Sequence, residues 1–159
     1  MKKIILVILM LSVKFSYSQD FSIYIADNRG NQNISYDYLL TNDSLIITGI
    51  SDYAKTKVDY LRRKYTKEEV KSLKTFFKKF KLDSIKDNYF SDYSNFEYIS
   101  ADHFPRVIEI RFRIGERKAY TKLTNSYVVY LTDFFNEMDM LLPKEVTFQL
   151  KPADFAKSF

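Results

Sequence analysis

No cysteine occurs in this sequence, so disulfides, thiol nucleophiles, thiolate-bound metals and a lipid anchor on a processed cysteine are all excluded. One histidine, His103, is too few for a histidine-rich zinc site. Three glycines and three prolines argue against low-complexity linkers, and no P-loop, dinucleotide fingerprint, G-x-S-x-G elbow or H-E-x-x-H pair is present. Tryptophan is missing as well. Its place is taken by 13 Tyr and 14 Phe, many of which must be core because each ring carries a large apolar area. With 159 residues, 46% hydrophobic and 28% charged, the chain fits a single domain that packing alone can hold together.

The first eighteen residues read as a cleaved export signal. Lys2 and Lys3 open it, an apolar stretch follows from Ile4 to Val13, and Ser16-Tyr17-Ser18 gives the small-x-small pattern of a cleavage site. Lys14 ends the stretch too early for a membrane span, which needs ~20 apolar residues. This segment holds three lysines and no acid, so the net charge of +5 falls to +2 once it is removed, which weakens any general polyanion-binding reading. Secretion or a periplasmic location is the expectation, with residues 19–152 as one domain and 153–159 as a loose tail.

Period-two alternation marks the strands. Ile108, Ile110, Phe112 and Ile114 alternate with Glu109, Arg111 and Arg113, and Gly115-Glu116 supplies a two-residue turn of the type that wants glycine first. The return strand then sets Ala119, Thr121 and Leu123 opposite Phe112, Ile110 and Ile108. On the other face Glu109 meets Lys122, Arg111 meets Tyr120, and Arg113 meets Lys118, a like-charge pair. Phe21, Ile23 and Ile25 share a side of an earlier strand. A second hairpin turns at Asn42-Asp43, pairing Leu40 with Leu45, Tyr38 with Ile47, Asp37 with Thr48 and Tyr36 with Gly49. Lys57 to Lys64 reads as a further strand with Val58 and Tyr60 on one face, and Val146 to Leu150 as a last short one.

Two helices are expected. Thr66-Lys67-Glu68-Glu69 is a capping box with Tyr65 and Val70 placed for a hydrophobic staple. Val70, Leu73, Phe76, Phe77 and Phe80 then fall on one side of a 3.6-residue period, with a lysine stripe (Lys67, Lys71, Lys74, Lys78, Lys81) offset from it. The second helix is expected from a cap at Asn125 or Ser126 to about Leu142, on a stripe of Val128, Leu131, Phe135, Met138 and Leu142. The fold class is therefore α+β: a mainly antiparallel sheet with two amphipathic helices packed on one face.

Two regions could bind something. Leu82 to Pro105 is long for a passive connection and mixes aromatics with acids, so Tyr89, Tyr93 and Tyr98 are candidate ligand contacts. The polar face of the central hairpin, with Arg111, Arg113, Lys118 and Tyr120, is the other candidate, suited to an anionic partner. No catalytic residue, metal ligand or cofactor is nominated. The acidic loop lacks the spacing and central glycine of an EF-hand, and a hydrolase combining loop carboxylates with His103 is the alternative that spacing alone cannot build.

The opening Tyr65-Thr66-x-x-Glu69 of the first helix, the segment from Leu82 to Asn88, and a central hairpin leading to a capped helix resemble small uncharacterised exported bacterial α+β domains. Members of that group often carry an early cysteine pair, which this chain lacks, and the resemblance implies no activity and no site residues. The expected function is a non-catalytic binding or interaction module of the cell envelope or secreted space, its partner an envelope protein or glycan. Exposed sheet aromatics could stack nucleic-acid bases, but export removes that partner and the charge is nearly balanced, so none is expected.

Overall fold

The computed structural model describes residues 20–29, 34–51, 56–90, 106–124, 126–148, 150 and 156–157. Strict alternation in Phe21–Asn28 (β1) buries Phe21, Ile23, Ile25 and Asp27 and turns Ser22, Tyr24 and Ala26 to the other side. Around this strand the chain builds a seven-stranded sheet from Ile34–Leu40 (β2), Ser44–Ser51 (β3), Lys57–Lys64 (β4), Asn88–Phe90 (β5), Val107–Ile114 (β6) and Arg117–Thr124 (β7). Its order is β4-β3-β2-β1-β6-β7-β5, so β1 is the middle strand, hydrogen-bonded to both hairpins. Neighbours run antiparallel except β5, which joins β7 in parallel.

Both hairpins adopt the register that alternation dictates. Ile108, Ile110 and Phe112 face Leu123, Thr121 and Ala119, while Glu109, Arg111 and Arg113 face Lys122, Tyr120 and Lys118. Gly115 takes φ of 60°, the left-handed value its turn requires. In the other hairpin Leu40 faces Leu45, Tyr38 faces Ile47, Asp37 faces Thr48 and Tyr36 faces Gly49.

The first helix, Lys67–Lys79 (α1), starts at the capping box: Thr66 Oγ1 accepts from the Glu69 amide at 3.2 Å and Glu69 Oε2 accepts from the Thr66 amide at 2.8 Å. Arg63 then forks onto Glu69 at 2.8 and 2.9 Å and reaches the Leu141 carbonyl at 3.0 Å, tying the helix start to a distant turn. The second helix, Thr132–Asp139 (α2), is shorter than expected. Ser126 belongs to a two-residue strand, Ser126–Tyr127 (β8), not to a cap, and a 3₁₀ turn at Val129–Leu131 leads into the helix, where no side chain caps. Asn125 lies outside the described residues.

The buried side of the sheet meets rings from both helices. Phe77 lies 4.8 Å from Phe21, and Phe134 lies 5.1 Å from Phe112, which also touches Phe80 at 5.6 Å. Leu73, Phe77, Leu131, Phe134, Phe135 and Met138 are buried in the same cluster as the sheet's isoleucines. This apolar burial, at ~25 cal/mol per Å², is the main stabilising term.

Three segments depart from expectation. Asn88–Phe90 forms β5, where only an irregular loop is expected. Of the strand expected from Val146 to Leu150, the described residues Val146 to Phe148 form none: a 3₁₀ turn at Lys144–Val146 opens them, and side chains take their carbonyls. On β4 a bulge opposite Ile47 and Thr48 breaks the alternation, so Val58 pairs with Gly49 and Leu61 with Ile47, leaving Tyr60 between them. Val58 and Tyr60 are thus exposed, at 61% and 45%, and Leu61 is the strand's contribution to the core. Ala156–Lys157 (β9) pairs in parallel with β8. The expected export signal, residues 1–18, lies outside the described residues. No described helix is long and apolar enough to cross a membrane.

Candidate functional site

Two polar constellations emerge. The first is buried. Continued alternation carries Asp27 inward at the end of β1, where its side chain is 0% exposed. Asp27 Oδ1 and Oδ2 accept from Arg106 Nε and Nη2 at 2.8 and 2.7 Å, and Oδ2 accepts from Arg29 Nε at 2.9 Å. The arginines also reach the segment after α2: Arg106 Nη1 donates to the Phe148 carbonyl at 2.9 Å, and Arg29 Nη2 donates to the Thr147 carbonyl at 3.0 Å and to the Tyr38 hydroxyl at 3.2 Å. Tyr38 completes the set by donating to the Val146 carbonyl at 2.8 Å, and burial pushes its phenol above the ordinary value. Three hydrogen bonds from two arginines engage both oxygens of Asp27, and its side chain has no solvent exposure. The cluster is a clasp that docks residues 146–148 onto the sheet.

The second constellation is the opposite, open side of the sheet, and strand register lays it out in rows. At the lowest level Lys118, Arg113 and Ser22 follow one another across β7, β6 and β1, and Ser44 and Lys64 are partners on β3 and β4. Above them come Tyr120, Arg111, Tyr24, Leu39, Ile46 and Arg62. The third row carries the acids: Lys122, Glu109, Ala26, Asp37, Thr48 and Asp59. Among the described residues no helix lies over these rows, and Arg111, Arg113, Lys118, Arg62 and Lys64 are exposed.

Charge is segregated on this face. Glu109 pairs with Lys122 at 3.6 Å, and Asp37 lies 4.0 Å from Lys57, so the acids of the third row are partly met by nearby lysines. Arg113 and Lys118 are direct cross-strand partners and form no ion pair among the described residues. Opposed like charges raise the free energy of the bare sheet by an amount that water reduces at these exposed side chains, and a bound anion would relieve the remainder. Arg111 sits with its guanidinium carbon 5.7 Å from the centre of the Tyr24 ring, which fixes it over the middle of the face. Burial, and then a hydrogen bond to Asp37, push the Tyr24 phenol up to about 12, so it remains a neutral hydroxyl at any physiological pH. On β4 Arg62 lies 3.9 Å from Asp59, but both are more than 60% exposed and the pair is screened by water.

Arg111, Arg113, Lys118 and Tyr120, nominated from the sequence, are therefore neighbours on one exposed surface. Tyr89 lies in β5 opposite Leu123. Tyr93, Tyr98 and His103 lie outside the described residues, as do most of the loop acids. Sequence reasoning missed Tyr24, Arg62 and Lys64. Without the bulge Arg62 and Lys64 would share a side with Val58, and only the slip at Tyr60 brings them to the open face. Among the described residues no group of His, Cys, Asp or Glu could hold a metal ion. The lysine stripe belongs to α1, whose Phe77 packs on the buried side, so it does not add to this face. Comparison with protein-family models, with curated proteins and with solved structures finds no match for this chain.

Proposed function

We propose that the chain is a non-catalytic binding module, exported to the cell envelope or secreted space, that takes an anionic envelope glycan or protein on its open sheet face. The observation that carries this reading is the cross-strand couple Arg113 and Lys118, without an ion pair among the described residues, beside Arg111 and Tyr120. Guanidinium and ammonium groups supply charge-assisted hydrogen bonds to carboxylate, sulfate or phosphate, and the tyrosines give flat apolar contact. Nothing about this face requires chemistry on the ligand: the only fully buried carboxylate among the described residues, Asp27, is closed by two arginines on the other side.

Export rests on Lys2, Lys3, the apolar stretch and the Ser16-Tyr17-Ser18 pattern. Expression of the whole chain in a bacterial host tests it: the intact mass of the exported product should begin at Gln19, and recovery of uncleaved cytosolic protein would remove this part of the proposal. Binding is tested by calorimetry against acidic glycans, neutral glycans and envelope proteins. Combined Arg111→Ser, Arg113→Ser and Lys118→Ser should weaken binding of an acidic ligand about tenfold or more, since charged hydrogen bonds contribute roughly 1.5–3 kcal/mol each. Binding should also weaken as salt rises. An acidic panel without a binder, or a binder indifferent to the triple substitution, would overturn the reading.

A further inference from the structure

We infer that the open face holds a linear acidic glycan laid across the strands, with an acidic sugar at each of two cationic poles and a span rich in neutral sugar between them. This inference rests on the reading of the face as an anion-binding surface. One pole is Arg111, Arg113 and Lys118 on β6 and β7, and the other is Arg62 and Lys64 on β4. Four strand steps separate β6 from β4, which at ~4.8 Å per step sets the poles about 19 Å apart.

The ground between them carries no charge in the two lower rows. Leu39 and Ile46 are half-buried and form an apolar floor suited to the C–H faces of sugar rings, bordered on β1 by Tyr24, whose ring lies under Arg111, and by the hydroxyls of Ser22 and Ser44. A polymer with an anion on every unit would hold charges over Leu39 and Ile46 with no countercharge, and their partial desolvation would be costly. A chain whose acidic units alternate with neutral ones meets both poles with its charges and leaves fewer charges over the floor than a uniformly charged chain. Glu109, Asp37 and Asp59 in the row above repel anions and confine the chain to the lower rows.

Twist decides between a chain and a bilayer. Adjacent strands rotate by roughly 20–25°, so over the steps from β6 to β4 the two poles face about 90° apart. A flat anionic membrane can touch one pole at a time, whereas a flexible chain follows the twisted surface and reaches both.

Calorimetry with the full chain and a graded series of hyaluronan oligosaccharides, in which a carboxylate alternates with a neutral sugar, tests the inference. Affinity should step up roughly tenfold or more at the length that bridges both poles and then level off. Combined Arg62→Ser and Lys64→Ser should abolish the step, and Arg113→Ser with Lys118→Ser should abolish it as well. Thermal midpoints of both variants should match the parent. Binding without a length step, or a step indifferent to Arg62 and Lys64, would overturn the two-pole geometry while the anion-binding reading stands. Equal or tighter binding of oligogalacturonate, of single-stranded DNA or of phosphatidylglycerol vesicles would overturn the assignment to an alternating glycan. If no anionic probe binds at all, the anion-binding reading itself fails.

Discussion

Asp27 and Arg106 meet carboxylate to guanidinium through bonds of 2.8 and 2.7 Å although 79 positions separate them in sequence. The pair joins the end of β1 to the start of β6, and Arg106 passes the connection on to the Phe148 carbonyl at 2.9 Å. Asp27→Asn keeps the shape but removes the charge, leaving two largely buried guanidiniums without an anion. Breaking a buried pair in this way costs about 3–5 kcal/mol. Urea titration should show that loss, and hydrogen exchange should show the Phe148 amide, now bonded to Asp139 at 2.6 Å, opening faster. A loss below ~1 kcal/mol would mean that water already reaches the arginines.

Much of this architecture can be read from alternation, because a strand with one wet face writes its register into its sequence. The hairpin pairs from Ile108–Leu123 to Leu40–Leu45 follow that rule, and the Thr66–Glu69 box marks its helix start without tertiary help. Long-range choices are less legible. Nothing local in Phe21–Asn28 says that it will be the middle strand between two hairpins. A usable signal was present in Asp27, which shares parity with Phe21, Ile23 and Ile25, so a buried carboxylate seeking cations was implied. The segment after Pro143 has the alternation of a strand but no ladder partner, since Tyr38, Arg29 and Arg106 occupy its carbonyls. Likewise the stripe from Val128 fits a 3₁₀ turn as well as an α-helix, and its Val-Val-Tyr run disfavours α. The cationic open face was half visible: β6 and β7 declare their cations, whereas a one-residue bulge hides those of β4.

Phe112 touches Phe80 at 5.6 Å and Phe134 at 5.1 Å and is 2% exposed. It therefore lies where sheet, α1 exit and α2 converge, and its neighbours are rings too large to close around a void. Phe112→Ala should cost about 3–5 kcal/mol from lost transfer free energy and an unfilled cavity. The denaturant midpoint should drop with little change of slope. A change of slope would indicate that the unfolded state has altered instead.

Glu69 has its carboxyl held below the ordinary glutamate value by the Arg63 fork, with help from the Thr66 amide. The unfolded chain takes up this proton near the usual pKa of about 4.3, before the folded chain does. Between the two values the unfolded state binds more protons, so stability rises with pH through that window, is complete above it, and is lost as pH falls below. Glu69→Gln should be less stable than the parent at about pH 6, and the difference should shrink by about pH 3. Parallel urea curves at the two pH values give the comparison, and a constant difference would assign the effect of Glu69 to packing.

Thr121 sits on the buried side of β7 opposite Ile110, wholly shielded from solvent, and its hydroxyl has no hydrogen-bond partner among the described residues. In a strand the side chain has no preceding helical carbonyl to bond, so the desolvated hydroxyl is a net cost of about 1–3 kcal/mol. Valine has nearly the same shape and the same branching at Cβ, and both residues favour the extended backbone. Thr121→Val should therefore raise stability by about 1 kcal/mol or more, seen as a higher denaturant midpoint and a melting temperature several degrees higher. The open face lies on the other side of the sheet, so ligand affinity should not change. Destabilisation by this substitution would show that the hydroxyl holds an ordered water whose bonds valine cannot replace.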